Sequence, residues 1–153
     1  MKTKYRKEVD LLVKCHGVYR EDAEGIIDRV TSHEHKVIYL ASPYSHENLI
    51  VLNDRVLSAA SVGGKLMRTT GHVFMVPVPH SHMIGEMLNN SLDHQFWLKQ
   101  CFGLLERCDE IWIVTLNGWK ESVGINLEIE YAKSLGIPIR TIDTDLVFTD
   151  ELT

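Results

Sequence analysis

The chain has 153 residues, of which 44% are hydrophobic and 24% are charged, and this balance is typical of one globular domain with a real core. Its formal net charge of -5 argues against the broad basic surface that binds a nucleic acid polymer, although a small anionic ligand remains compatible with it. No apolar run approaches the roughly 18 residues of a membrane span, so we expect no membrane contact.

The cysteines and the first residues of the chain predict a cytoplasmic protein. Cys15, Cys101 and Cys108 form an odd set without a CxxC pair, which favours free thiols in a reducing compartment. The basic residues at the start of the chain are followed by two acidic residues, and not by the apolar core of a signal peptide.

Residues 1–35 differ in pattern from the rest of the chain and predict a helical hairpin. Apolar side chains recur at helical spacing before Gly17, and the pattern repeats over Tyr19–Val30. A polar hinge at Thr31–His35 would separate this N-terminal helical extension from an α/β domain over residues 36–153. Because isolated helices of this length are marginal in water, we expect their apolar faces to cover another surface.

From residue 36 the chain alternates between apolar strands and amphipathic helices. The predicted elements are strand Val37–Ala41, helix Leu49–Arg68, strand Val73–Val76, helix Leu92–Arg107, strand Ile111–Leu116, helix Ser122–Leu135 and strand Ile137–Ile142. The Gly63-Gly64 pair is expected to weaken the middle of the first of these helices. Strands separated by helices of this length predict right-handed βαβ units and a parallel sheet flanked by helices.

The loops that leave the carboxyl ends of the strands collect polar and aromatic side chains. The predicted loops are Ser42–Asn48, Pro77–Asn90 and Asn117–Glu121. In open parallel sheets ligands bind at this edge, so we expect the site there. The candidate ligand contacts in these loops and at the helix start that follows them are Ser42, Tyr44, His80, His82, Trp119 and Ser122.

The turn after the first strand has two interpretations. No GxGxxG motif follows the strand and no GxxxxGK[ST] motif exists in the chain, so the usual dinucleotide and P-loop sites are unsupported. Ser42 and Tyr44 bind a sugar or a base edge in one interpretation. In the other, Pro43 between them simply fixes a turn.

The third predicted helix carries the strongest functional signal. On a helical wheel that starts at Ile125, Glu128 falls inside the apolar arc, whereas Glu130 falls on the solvent face. A carboxylate aimed at a sheet is costly unless it has a function or a partner. Ser122 is a good N-cap, and Gly124 lets a ligand approach the free N–H groups of the first turn, although a plain cap remains the alternative.

Other reactive side chains have weaker interpretations. The histidines match no familiar zinc spacing, so we predict no metal and expect His80 and His82 to line the pocket or to hold the loop by hydrogen bonds. Asp93 is either a helix-start carboxylate that balances the dipole or the second acid of a glycosyl-transfer site. Cys101 and Cys108 are expected to pack in the core.

These segments, in this order, resemble the nucleoside 2-deoxyribosyltransferase superfamily, and most closely its small bacterial and phage branch. The resemblance covers about residues 36–142. The matching segments are Ile38–Ser45, Val76–His82, Cys108–Glu110, Gly118-Trp119 and the run Ser122-x-Gly124-x-x-x-Glu128-Ile129-Glu130-x-Ala132.

The resemblance implies a flavodoxin-like or Rossmann-like fold and cleavage or transfer at the N-glycosidic bond of a nucleoside or (deoxy)nucleoside 5′-monophosphate. It implies that Glu128 is the nucleophile, that Ser122 contacts the 5′-phosphate, and that Tyr39 is the family tyrosine near the end of the first strand. This chemistry needs no metal or organic cofactor. Relatives of this type usually assemble, so the resemblance also implies a homo-oligomer.

One position departs from the family pattern. Many relatives carry an aspartate four positions after the tryptophan of the second helix, and this chain has Cys101 there. Unless Asp93 or another group substitutes for it, the acid that helps the leaving base is missing. Three interpretations therefore stay open, namely an N-glycosidase or 2-deoxyribosyltransferase, a non-catalytic nucleotide-binding or sensor module of the same fold, and a structural oligomer that kept only the fold.

Overall fold

A computed structural model of the protein describes residues 5–17, 19–31, 35–149 and 152. The chain divides into two compact units, residues 1–35 and residues 36–153. In the first unit, helices α1 (Arg6–His16) and α2 (Arg20–Thr31) pack against each other, as predicted for this segment. Most of the predicted polar hinge, residues 32–34, lies outside the described residues.

The second unit is built on a five-stranded sheet with the strand order β2-β1-β3-β4-β5, parallel except for β5. This is the flavodoxin-like order, and it confirms the predicted α/β fold. The elements are β1 (Val37–Ala41), α3 (Leu49–Thr70), β2 (Val73–Met75), α4 (Pro77–Met87), α5 (His94–Leu105), β3 (Glu110–Val114), α6 (Val123–Leu135), β4 (Ile139–Ile142) and β5 (Phe148–Thr149).

Helices cover both faces of the sheet and make two apolar layers. Successive side chains of a strand point to opposite faces, so β1 contributes to both layers. Ile38 and Leu40 pack in the layer that contains Val62 and Leu66 of α3. On the other face, Tyr39 packs in a layer with Leu105 of α5 and with Ile125, Ile129 and Ala132 of α6. The pleat of β1 therefore directs Tyr39 toward α6.

The segment Pro77–Asn90 was predicted to be a loop. This prediction is wrong, because most of the segment forms helix α4. Pro77 occupies the first helical position, and Pro79 also lies in the first turn. N–H groups in the first turn of a helix have no hydrogen-bond partner within the helix. Prolines there therefore remove no helical hydrogen bond, and they favour a helix start. The two prolines therefore begin a helix at this point instead of excluding one.

Helix α3 runs without interruption through the Gly63-Gly64 pair. A Cβ atom on Gly63 would lie 2.8 Å from Val76 Cγ2, a distance that real side chains do not tolerate. The glycine therefore lets α3 pack closely against the residue that follows β2. No helix in the described part of the chain is both long and apolar enough to cross a membrane.

Candidate functional site

A cavity of about 650 Å³ is bounded by the segments that follow β1, β2 and β3. These segments leave the carboxyl ends of parallel strands, where sheets with this topology bind their ligands. Residues of α3, α4, α5 and the first turns of α6 complete the wall. Its polar and reactive members include Ser42, Tyr44, Arg55, Asn90, Cys101, Ser122 and Glu128.

Glu128 is the buried acid of this wall. Its side chain is only 9% exposed, whereas Glu130 is exposed and its Oε1 pairs with Lys133 Nζ at 2.9 Å, so the helical-wheel prediction is confirmed. Burial raises the pKa of Glu128 to about 7, while hydrogen bonds from Tyr39 and Cys101 act in the opposite direction. This carboxyl group therefore changes its charge near neutral pH.

Tyr39, the tyrosine that the family resemblance singles out, lies beside Glu128. The Tyr39 hydroxyl, which is fully buried, donates to Glu128 Oε1 over 2.6 Å. Burial first, and then the negative charge of Glu128, raise the pKa of Tyr39 well above its usual value. Tyr39 therefore keeps its proton at neutral pH and donates it in a hydrogen bond that favours the ionised form of Glu128.

Cys101 packs against the apolar layer of α5 and α6, as predicted, and it also borders the cavity. Its side chain is half-buried and forms part of the cavity wall near Glu128. Burial raises the pKa of its thiol, so it is present as a neutral thiol. Cys108, seven positions later, is buried in the core as predicted, and its Sγ donates to Leu104 O at 3.3 Å.

The first turn of α6 borders the cavity. Ser122 is the N-cap, with its Oγ accepting a hydrogen bond from Ile125 N at 3.4 Å, and both Ser122 and Gly124 line the cavity wall. Ser122 therefore caps the helix and also borders the space for a ligand. The N-terminus of a helix favours negative charge, which suits this end of the cavity to an anion.

Arg55 is a functional candidate that the sequence interpretation missed. It lies on α3, lines the cavity, and donates from Nη1 to Ser45 O at 2.6 Å and from Nη2 to Asn117 O at 3.0 Å. Across the described residues no carboxylate pairs with it. A Cβ on Gly118, whose φ is +85°, would approach Arg55 Nη2 to 2.6 Å, so a glycine there makes room for the guanidinium.

Ser42 and Tyr44, both predicted ligand contacts, lie on the cavity wall. Ser42 is 6% exposed, and its buried Oγ has no hydrogen-bond partner, an arrangement that costs about 1–3 kcal/mol unless a ligand supplies one. The Tyr44 hydroxyl lies 3.1 Å from His82 Nδ1, and the two rings meet edge to face with centroids 5.9 Å apart. His82 itself does not line the cavity, but it hydrogen bonds with Tyr44, which does.

Three further predicted site residues do not line the cavity. His80 is exposed on α4, because that segment is a helix and turns the side chain outward. Asp93 is the N-cap of α5, where its Oδ1 accepts from Phe96 N at 2.8 Å. Trp119 is 8% exposed and packs in the apolar layer with α5 and α6. Asp93 therefore caps α5 and compensates its helix dipole, and Trp119 packs in the core.

The charged groups of the cavity wall indicate which class of ligand the cavity can bind. Within the described residues, no group of three or more His, Cys, Asp or Glu side chains has the arrangement to hold a metal ion. The positive groups at the wall are the guanidinium of Arg55 and the N-terminus of α6. These two groups suit an anionic ligand.

Comparison with known proteins identifies the chain at the level of its family. A family model described as a domain of unknown function (DUF1937) matches residues 36–143. The chain belongs to the DUF1937 family. The matched region contains every residue of the cavity wall, so the site is part of the DUF1937 domain. No curated protein matches the sequence.

Proposed function

We propose that the protein cleaves or transfers the N-glycosidic bond of a nucleoside or (deoxy)nucleoside 5′-monophosphate, with Glu128 as the nucleophile. The observation that carries the proposal is the buried Glu128 carboxyl group, which lines a cavity and accepts a hydrogen bond from Tyr39 over 2.6 Å. Burying a carboxylate costs free energy, and perturbed acids of this kind in a cleft are typical of active sites. The resemblance to the nucleoside 2-deoxyribosyltransferase superfamily adds support.

In the proposed reaction a Glu128 oxygen attacks the anomeric carbon and forms an ester, while the C–N bond breaks and its electron pair leaves with the base. Water or a second base then attacks the same carbon and releases the Glu128 carboxylate. Two displacements at one carbon give retention of configuration. The departing base gains one proton and an attacking water loses one, so the reaction balances without a metal or an organic cofactor.

The two ends of the cavity suit the two ends of a nucleotide. Arg55 and the first turn of α6 offer positive charge and N–H donors to a 5′-phosphate. The wall formed by α4 and α5 is largely apolar and includes Val78, Trp97 and Leu98, which suit the faces of a base. Ser42, with its unpartnered hydroxyl, is suited to a sugar hydroxyl group.

The phosphate contact leads to a prediction about Ser122. Ser122→Ala should weaken the binding of a nucleoside 5′-monophosphate by about tenfold or more and spare the matching nucleoside, because a hydrogen bond to a charged group contributes about 1.5–3 kcal/mol. Arg55→Gln should act in the same direction. Titration calorimetry with each nucleotide and its nucleoside measures the ratio, and equal losses for both ligands would leave Ser122 as a helix cap only.

A second candidate function is a non-catalytic nucleotide-binding or sensor module. The observation that favours it is Cys101, a neutral thiol at the position where relatives carry an acid. This alternative predicts that nucleotides bind in the same cavity without release of the base.

One experiment separates the two functions. The protein is incubated with the common ribo- and deoxyribonucleosides and their 5′-monophosphates, and free base is detected by chromatography while binding is followed by calorimetry. Base release supports the enzyme, and binding without release supports the sensor module. Neither binding nor release would contradict both.

We also propose that the protein is a cytoplasmic homo-oligomer. The three cysteines are free, in keeping with a reducing compartment. Large apolar side chains are exposed on α3 and α4, among them Ile50, Leu57 and Met87, and exposed apolar surface of this kind is typical of protein interfaces. Light scattering coupled to size-exclusion chromatography should give a mass above that of one 17.5 kDa chain, and a monomer at all concentrations would contradict the proposal.

A further inference from the structure

The departing base needs a proton, and Cys101, a thiol on the same side of the cavity as Glu128, is poorly placed to supply it. Cys101 lines the cavity from α5, which packs with α6, so its thiol lies on the same side as the nucleophile. If the protein acts as we propose above, another group has to protonate the base.

Tyr44 and His82 form a hydrogen-bonded pair at the cavity wall. The Tyr44 hydroxyl lies 3.1 Å from His82 Nδ1, and Tyr44 itself lines the cavity while His82 stands behind it on α4. Both side chains are half-buried. An imidazole that is hydrogen-bonded to a hydroxyl group is able to relay a proton to it, so such a pair is able to pass a proton toward the cavity.

His82 and Glu128 lie on helices whose main packing partners cover different faces of the sheet. Glu128 lies on α6, which packs with α5 on one face of the sheet. His82 lies on α4, which packs against α3, the helix that covers the other face. A displacement at the anomeric carbon places the nucleophile and the leaving group on opposite sides of that carbon, so the acid has to come from the side away from Glu128.

We infer that Tyr44 is the acid that protonates the departing base, and that His82 restores the proton of Tyr44. As the C–N bond breaks, the hydroxyl proton of Tyr44 moves to the base nitrogen, and the Nδ1 proton of a cationic His82 moves to the Tyr44 oxygen. His82 then takes up one proton from solvent. This proton balances the one that the attacking water releases when it cleaves the Glu128 ester.

The surroundings of Tyr44 keep its hydroxyl protonated between turnovers. Burial first, and then the negative charge of Glu86, raise the pKa of Tyr44, so the hydroxyl carries its proton before the reaction and takes one up again after it. Tyr44 is thus a catalytic residue that touches the leaving base, and His82 is a positioning residue that acts through it.

The test compares bases that need a proton with bases that do not. Deoxyguanosine 5′-monophosphate is paired with its N7-methyl derivative, and deoxyuridine 5′-monophosphate with its 5-nitro derivative, because the modified bases leave without full protonation. Tyr44→Phe should lower the release of the ordinary base by roughly 10²-fold and His82→Gln by about tenfold, whereas release of the activated base changes by less than about threefold. His80→Gln, an exposed residue of the same helix, is the matched control and should change neither rate.

The outcomes separate this inference from the proposed function. Equal losses on the ordinary and activated bases would overturn the role of Tyr44 and His82, since a purely structural effect does not distinguish leaving groups. The proposed function itself fails if the wild-type protein releases no base from any of the common nucleosides and 5′-monophosphates or from these two activated derivatives. Thermal unfolding of each variant verifies that the fold is kept.

Discussion

Replacing Glu128 by Gln is expected to abolish base release while the fold and ligand binding are kept. Glutamine has nearly the same shape and still accepts the hydrogen bond from Tyr39, but its amide cannot form the ester with the anomeric carbon. Loss of a nucleophile removes the chemical step, so we expect the rate to fall by roughly 10³-fold or more. Chromatography of the free base under single-turnover conditions measures the loss.

The same helix offers a matched control two residues away. Glu130 is exposed and pairs with Lys133 at the surface, so Glu130→Gln should leave base release within about twofold of wild type. Both variants remove one carboxylate from α6, and they differ only in whether that carboxylate faces the cavity. Similar losses in the two variants would contradict the assignment of Glu128 as nucleophile.

The contribution of Glu128 to the free energy of unfolding is expected to fall as the pH rises from about 4.5 to about 7, and Glu128→Gln should remove this contribution. The pKa of Glu128 is raised by burial from 4.5 to about 7 in the folded protein, so the folded state binds its proton more tightly than the unfolded state. The resulting stabilisation is fully present below the unfolded pKa and is lost as the pH rises through the folded value. It amounts to roughly 3 kcal/mol, at about 1.4 kcal/mol per pKa unit.

Urea unfolding at several pH values measures this effect. The difference in unfolding free energy between wild type and Glu128→Gln isolates one group from all the others that titrate. Activity should follow the opposite trend and rise with pH through about 7, because only the ionised carboxylate attacks. Parallel stability curves for wild type and Glu128→Gln would show that burial does not perturb this carboxyl group.

Much of the fold and one half of the site were predictable from local pattern. Apolar periodicity fixes which faces of β1 and α6 are buried, and this alone predicted that Glu128 lies on the core side and Glu130 in solvent. The N-cap role of Ser122 likewise depends only on its position before a helical run. These features are encoded within about one helix length of sequence.

The other half of the site depends on contacts between distant segments. Arg55 reaches the cavity because carbonyl groups of Ser45 and Asn117, from two different loops, hold its guanidinium. The pairing of Tyr44 with His82 depends on helix α4. A loop was predicted at this position because the segment contains two prolines. The short antiparallel strand β5 was also missed, because two residues carry no periodic signal. Such features follow from tertiary packing, which no local window contains.

The most direct test of the account is whether Glu128 becomes covalently linked to the sugar. Wild-type protein is mixed with the deoxynucleoside 5′-monophosphate whose base is released fastest, quenched in acid, digested with pepsin and analysed by mass spectrometry. The account predicts a phosphodeoxyribosyl adduct on the peptide that contains Glu128, absent from the Glu128→Gln variant. Base release without any adduct, or an adduct on another residue, would contradict it.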